Sequence, residues 1–193
     1  ELHKLWRAAA PETYHLEYGY SCMGYEIAGG LGVKLALPDR RVVVLVGDGS
    51  YLMMNSEIAT SVMLGAKLDI VVLDNRGFGC IDRLQRACGI DSFNNLFKDT
   101  VHQTLPAIDF AAHAAALGAV AERVGSIPEL AAALERAKFS ERTHVVVIET
   151  DPALSTTEGG AWWDVPVPEV SRSSRVGEAR KTYEQAVADR EKM

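Results

Sequence analysis

Two apolar runs, Val42 to Val46 and Leu68 to Leu73, the second broken only by Asp69, stand out in the pattern of hydrophobic and polar positions. Runs of that length, bounded by polar and glycine residues, predict strands buried on both faces, as in a parallel sheet. Between them, Met53 to Leu64 carries Met54, Ile58, Val62 and Met63 at helical intervals, with Gly65 placed to cap the end. Further strands are predicted near Ala119 to Val124 and over Thr143 to Thr150. Helices are predicted from about Gly24 to Ala36, near Ile81 to Ala87, from Phe110 to Leu117 behind an Asp109 cap, and from Pro128 to Ala137. Strands alternating with helices at this spacing predict an α/β fold, a parallel sheet flanked by helices on both faces.

The remaining segments do not fit that alternation. Leu2 to Ala10 reads as a helix that begins at Glu1 rather than Met, which we take as a piece cut from a longer polypeptide. Tyr18 to Gly24 is an aromatic, glycine-flanked loop feeding the small-residue helix that contains Ala28, Gly29, Gly30 and Gly32. Each helical glycine costs up to about 1 kcal/mol relative to alanine, so close approach to a neighbouring element is expected to compensate. Residues 89 to 107 lack periodicity and are expected to form a mobile loop. From Asp151 the character changes: Gly159, Gly160, Trp162, Trp163, Pro166 and Pro168 precede a polar helical stretch from about Val176 to Glu191.

Candidate chemistry lies at the ends of the two apolar runs. The first leads into Gly47-Asp48-Gly49 and the second into Asp74-Asn75, so Asp48 and Asn75 should emerge together at the carboxyl ends of adjacent strands. Ligands bind there in open α/β sheets. A carboxylate and an amide oxygen side by side are hard donors suited to magnesium, which commonly keeps phosphate oxygens in its shell. Glycines flanking Asp48 let the backbone approach a bulky anion. Gly-Asp-Gly alone also fits an ordinary turn, as does Asn75-Arg76-Gly77. That simpler reading leaves unexplained why both turns follow apolar strands.

Composition narrows the setting. A net charge of −6 with no basic stripe argues against a nucleic-acid partner, so phosphate binding must rest on backbone amides and a metal. No apolar stretch is long enough to cross a bilayer and no secretion signal is visible, which makes the cytoplasm the expected compartment. Cys22, Cys80 and Cys88 are too few and too irregular for a disulfide framework or zinc site, and reduced thiols are expected. No glycine triplet of dinucleotide-binding spacing follows a strand, which disfavours a dehydrogenase.

Taken together, these segments resemble the carboxyl-terminal, diphosphate-binding domain of thiamine diphosphate enzymes of the acetolactate synthase type. The twenty-five residues between Gly49 and Asn75 match that family's cofactor motif. Three segments carry a more specific likeness: Tyr14 to Glu26, Gly47 to Met53, and Asp74 to Ile81, with the Glu-Gly-Gly-Ala-Trp-Trp segment ending at Trp163 adding to it. They most resemble a hydrolase branch that opens the ring of a polyhydroxylated cyclic 1,2-diketone in inositol breakdown.

The resemblance implies thiamine diphosphate and Mg2+ as cofactors. Asp48, the Asn75 side-chain oxygen and the Gly77 carbonyl would bind the metal. Gly47, Gly49, Ser50 and the turn Gly77-Phe78-Gly79 would meet the diphosphate. The backbone of Ser21, Cys22 and Met23 would hold the aminopyrimidine, with Met23 beneath the cofactor; a gap-filling core methionine is the competing reading. Many relatives carry Asn where this chain has Asp74, for which structural capping is the expected job. Residues 1–151 would be the diphosphate- and Mg-binding domain of a larger enzyme, and 152–193 an extension packing on or near the site.

The glutamate that activates the cofactor's pyrimidine sits, in this family, on a pyrimidine-binding domain absent from this chain, so no catalytic residue is assigned here. Glu26 and Glu57 are expected to pack against the sheet or face solvent rather than replace it. The resemblance also implies that the pyrimidine domain comes from another subunit, making a homodimer or larger assembly. A carboligase or decarboxylase acting on 2-oxo acids, and a non-catalytic Mg- or phosphate-binding module, stand as alternatives. His15 is read either as an acid or base or as a satisfied structural histidine.

Overall fold

The computed structural model describes residues 2–17, 19–156 and 164–192. Its elements run α1 (Leu2–Leu5), α2 (Tyr25–Ala36), β1 (Val43–Gly47), α3 (Asp48–Met54), α4 (Ser56–Met63), β2 (Asp69–Asp74), α5 (Gly79–Ala87), α6 (Phe110–Ala116), β3 (Val120–Val124), α7 (Ile127–Lys138), β4 (His144–Glu149) and α8 (Ser174–Arg190). The four strands form one parallel sheet in the order β1-β2-β4-β3. The predicted α/β alternation is therefore what the chain adopts.

The chain groups into two compact units, His15–Gly77 with Thr104–Asp151, and Glu1–Tyr14 with Phe78–Gln103 and Pro152–Met193. The first holds the sheet. Because side chains alternate along a strand, Val44, Val46, Ile70, Val72, Val145 and Val147 face one side, where Ile27 and Leu31 of α2, Tyr51 of α3, Ile58 of α4 and Phe110 of α6 cover them. Val71, Val124, Val146 and Ile148 face the other side, against Ala133 of α7. The near-continuous apolar runs are thus strands covered by helices on both faces.

The helix predicted over Met53 to Leu64 is two helices that meet at Asn55, and the first begins at Asp48 itself. Asp48 lies in the opening turn of α3 instead of in an open loop, so its backbone is fixed by the helix that follows. Predicted helix Leu2 to Ala10 is a single turn, with the chain leaving helical geometry before Pro11.

Two of the α2 glycines are explained by close approach. A Cβ at Gly30 would lie 2.5 Å from Cγ2 of Val44 on β1, and one at Gly29 would lie 2.6 Å from the Tyr25 ring. Gly32 has open space around it.

Within the other unit, residues 89–103 are held at several points. Gly89, at φ +80°, passes so close to Arg175 of α8 that a Cβ would meet the Arg175 carbonyl at 2.5 Å. Ser92 bonds both Asp82 of α5 and Asp99, Asn95 bonds Gln85, and Arg175 pairs with Asp91 at 2.5 Å. A 3-10 turn spans Phe97–Asp99. These tethers come from side chains whose spacing along the chain has no period. α8 in turn is tied to the preceding segment through Tyr183 and Arg190, which both bond Asp164. The Trp162-Trp163 pair and Gly159-Gly160 lie outside the described residues.

The glycines give a paired prediction for urea unfolding. Gly30→Ala should destabilise by about 1 to 3 kcal/mol through overpacking against Val44. Gly32→Ala, with room for its methyl and a better helix former in place, should stabilise by up to about 1 kcal/mol.

Candidate functional site

Parallel pairing of β1 with β2, which sets Gly47 opposite Leu73, brings the two polar turns to the same edge of the sheet. Asp48 is 2% exposed, and the Gly77 N–H donates to its Oδ2 at 2.8 Å. Arg76, at φ +62°, and Gly77, at φ +142°, turn the chain back so that this donor and the Gly77 carbonyl both reach Asp48 and Asn75.

One end of the Asn75 side-chain amide stands 3.2 Å from Asp48 Oδ1 and 2.8 Å from the Gly77 carbonyl oxygen. With its nitrogen inward, the amide donates to both and closes the metal-free site by hydrogen bonding. Rotated half a turn, it would present its oxygen beside the other two, the donor set a cation would need. Adjacent ligands of an octahedral magnesium, each at roughly 2.1 Å, lie about 3.0 Å apart, which matches the separations found. The donor set fits the metal.

Electrostatics favour the same occupant. Burial pushes the Asp48 carboxyl above the ordinary range; the Gly77 N–H works against this, and the charge of nearby Asp74 adds to it. Asp74 is itself only 1% exposed. Its Oδ1 accepts from the Arg76 N–H at 3.2 Å, a local cap of the expected kind, while its Oδ2 has no hydrogen-bond partner among the described residues. Two buried carboxylates side by side make a divalent cation favourable. Among the described residues no group of three or more His, Cys, Asp or Glu side chains could hold a metal, because here two of the three donors are an amide and a backbone carbonyl.

Gly47 ends β1 with extended backbone, and a Cβ there would meet nothing within 4 Å, leaving open space at this edge. Gly49 and Ser50 lie in the first turn of α3. The Ser50 hydroxyl, however, is already engaged: it donates to the Glu26 carboxylate at 2.7 and 2.9 Å and accepts from the Gly24 N–H at 2.6 Å. Phe78 and Gly79 continue the chain from Gly77; the Phe78 N–H is taken by the Asn95 carbonyl at 2.7 Å, and Gly79 opens α5.

The loop before α2 is shaped by side chains that sequence reasoning gave no part in it. Glu17 accepts from the Tyr20 and Cys22 N–H groups, both at 2.8 Å, and these bonds hold its carboxyl below the usual range. Ser21, at φ +50°, and Gly24, at φ +91°, take left-handed backbone. Gly24 packs on α3, where a Cβ would lie 3.0 Å from that of Met54 and 3.2 Å from that of Met53. Met23 is 38% exposed, so it does not fill a gap in the core. His15 bonds the Tyr25 hydroxyl at 2.8 Å and stacks on its ring.

Glu26 is half-buried, accepting from Gly24 and Ser50, where solvent or the sheet was expected. The one signal available was its position two residues after Gly24, from which a carboxylate can reach back to the cap N–H. Glu57 lies in the first turn of α4. Cys22, Cys80 and Cys88 are free thiols, and no helix among the described residues is long and apolar enough to cross a membrane.

Residues 1–150 match the family model described as thiamine pyrophosphate enzyme, C-terminal TPP binding domain. The proteins named 3D-(3,5/4)-trihydroxycyclohexane-1,2-dione hydrolase from Bacillus licheniformis and Bacillus subtilis are each 44% identical over 184 residues, 95% of this chain. That from Shouchella clausii is 44% identical over 93% of it. The chain spans 29%, 28% and 28% of those relatives' lengths. Among solved structures, benzoylformate decarboxylase from Polynucleobacter necessarius aligns with a TM-score of 0.59 and 25% identity over 70% of this chain and 25% of its own. A 4-hydroxybenzoylformate decarboxylase from Rhodococcus jostii shares the fold at a TM-score of 0.53, with 20% identity over 67% of this chain and 23% of its own.

The Asp48 environment gives a stability prediction. Its raised carboxyl pKa means that the metal-free fold gains stability as pH falls through that pKa toward the ordinary value of 3.8, and pays to keep the group charged at neutral pH. Asp48→Asn should therefore melt higher than the parent at pH 7 without metal. Magnesium should stabilise the parent, by about 2.7 kcal/mol at a hundredfold excess over Kd, and leave Asp48→Asn unmoved. Thermal melts with and without magnesium check both. Separately, burial pushes the Tyr51 phenol up to about 12, so ultraviolet titration should show it un-ionised at pH 10.

Proposed function

This chain belongs to the thiamine pyrophosphate enzymes as a C-terminal TPP-binding domain, and on that premise we propose that it is the thiamine diphosphate- and Mg-binding domain of a hydrolase that opens 3D-(3,5/4)-trihydroxycyclohexane-1,2-dione to 5-deoxyglucuronate. The observation that carries this reading is the identity of 44% over nearly the whole chain with proteins of that name. The enzyme would act in inositol catabolism in the cytoplasm. Its other domains, including the pyrimidine-binding one, would come from a longer polypeptide, and the active site would form between subunits of a homodimer or larger assembly.

In this reading Asp48, the Asn75 side-chain oxygen and the Gly77 carbonyl hold the magnesium. Gly47, left open at the strand end, and Gly49 let the backbone approach the diphosphate. The Ser21 to Met23 loop, fixed by Glu17 on one side and by Gly24 on the other, holds the aminopyrimidine, and exposed Met23 lies beneath the cofactor. When bound, thiamine diphosphate supplies a nucleophilic carbon and a sink for the electron pair of a breaking carbon–carbon bond. Overall, water adds across the bond between the two carbonyl carbons, leaving one as a carboxylic acid and the other as an aldehyde. Ser50, whose hydroxyl proton goes to Glu26, serves in the metal-free protein to tie the loop down rather than to donate to phosphate.

A second reading has one observation in its favour. The solved structures of like fold are named as decarboxylases of benzoylformate and 4-hydroxybenzoylformate, so a decarboxylase or carboligase of 2-oxo acids would use the same domain. Incubating full-length enzyme containing this chain with the dione, pyruvate and benzoylformate separates the two. Only the dione should be consumed, and turnover of either 2-oxo acid at a comparable rate would overturn the hydrolase reading. The 193-residue chain by itself should bind thiamine diphosphate with magnesium in preference to ATP with magnesium, as read by calorimetry, and turn over nothing.

A further inference from the structure

Two carboxylates hold the loop that precedes α2, and they do so differently. Glu17 works inside the loop, taking the Tyr20 and Cys22 N–H groups. Glu26 works across elements. From the first turn of α2 its Oε2 accepts the Gly24 N–H at 3.1 Å, and both its oxygens accept from the hydroxyl of Ser50, which lies two residues beyond Asp48 in α3. The Ser50 oxygen closes the triangle by accepting from Gly24 at 2.6 Å. Gly24 is buried, and a Cβ on it would meet the Met54 and Met53 Cβ atoms at 3.0 and 3.2 Å, so the junction has no slack.

A carboxylate at this place carries a cost: it takes the one proton Ser50 has to offer an anion bound at the start of α3. A residue that opposes anion binding and is nevertheless bonded to both the Gly24 N–H and the Ser50 hydroxyl serves the geometry of the junction. Without it, Gly24 keeps a single bond to Ser50, and Ser50 is free to rotate.

We propose that Glu26 is a positioning residue that locks the Ser21–Met23 loop in register with the Asp48 end of the site, so that a ligand spanning both finds them at a fixed separation. It does not touch the reacting atoms. This rests on the thiamine diphosphate reading above. The consequence is selective. Thiamine diphosphate engages both ends and benefits from the lock; inorganic pyrophosphate engages only the metal end and does not.

Calorimetry of the protein with magnesium, comparing thiamine diphosphate with inorganic pyrophosphate, tests this in the parent, Glu26→Ala and Glu26→Gln. In Glu26→Ala the Kd for thiamine diphosphate should rise about tenfold, the scale of losing hydrogen bonds to a charged group. The Kd for pyrophosphate should stay the same or fall, because Ser50 regains its proton and a negative charge is gone. Glu26→Gln, whose amide oxygen can still accept from Gly24 and Ser50, should recover most of the thiamine diphosphate affinity. Equal weakening of both ligands, weakening of neither, or a Gln variant as weak as the Ala variant would overturn the proposal while leaving the cofactor reading intact. Failure of the parent protein to bind thiamine diphosphate would overturn both.

Discussion

The convergence of two strand ends on one buried carboxylate sets the terms for this domain. Asp48 and the Asn75–Gly77 turn follow two adjacent parallel strands, and the Asn75 amide at 3.2 Å and the Gly77 N–H at 2.8 Å close around the Asp48 carboxylate. Apolar packing does not favour such a cluster, and the second carboxylate of Asp74 makes it costlier. The fold sustains it because the strands are locked by a two-sided core and because α3 and the turn through Arg76 and Gly77 over-determine the backbone around it. Burial of the Asp48 charge near Asp74 carries a cost that a divalent cation would offset.

From that point the loop before α2 follows. Its left-handed Ser21 carries backbone strain that side chains must hold, and Glu17 with the Glu26–Ser50 pair fix the loop through hydrogen bonds to main-chain N–H groups. Ser50 thereby belongs to two structures at once: it sits in the motif that begins at Asp48, and it anchors the loop. A substitution at either place would be felt at the other through that one hydroxyl.

Much of this was legible in the residues. Strand burial announces itself in runs such as Val42 to Val46, and the meeting of Asp48 and Asn75 at one sheet edge follows from pairing the two runs. Gly30 likewise signalled the close approach of α2 to β1. What the chain did not disclose was local. The break at Asn55 interrupts an apolar periodicity that runs through it unchanged, so pattern alone reads one helix. Residues 89–103 look irregular because their order comes from side chains such as Ser92 and Asn95 bonding backward onto α5, contacts with no period. Glu26 was hidden because its partner lies twenty-four residues away on another helix, and a glutamate in a first helical turn ordinarily faces water.

The role of this sheet edge turns on which atom of the Asn75 amide faces Asp48 and Gly77 once the ligands are present. A crystal structure of the protein grown with magnesium and thiamine diphosphate measures this directly. The account predicts octahedral density bonded at about 2.1 Å to Asp48 Oδ1, Asn75 Oδ1 and the Gly77 carbonyl, with diphosphate oxygens among the remaining ligands. An Asn75 amide nitrogen hydrogen-bonded to Asp48 and Gly77, with the metal and diphosphate bound elsewhere or not at all, would contradict it.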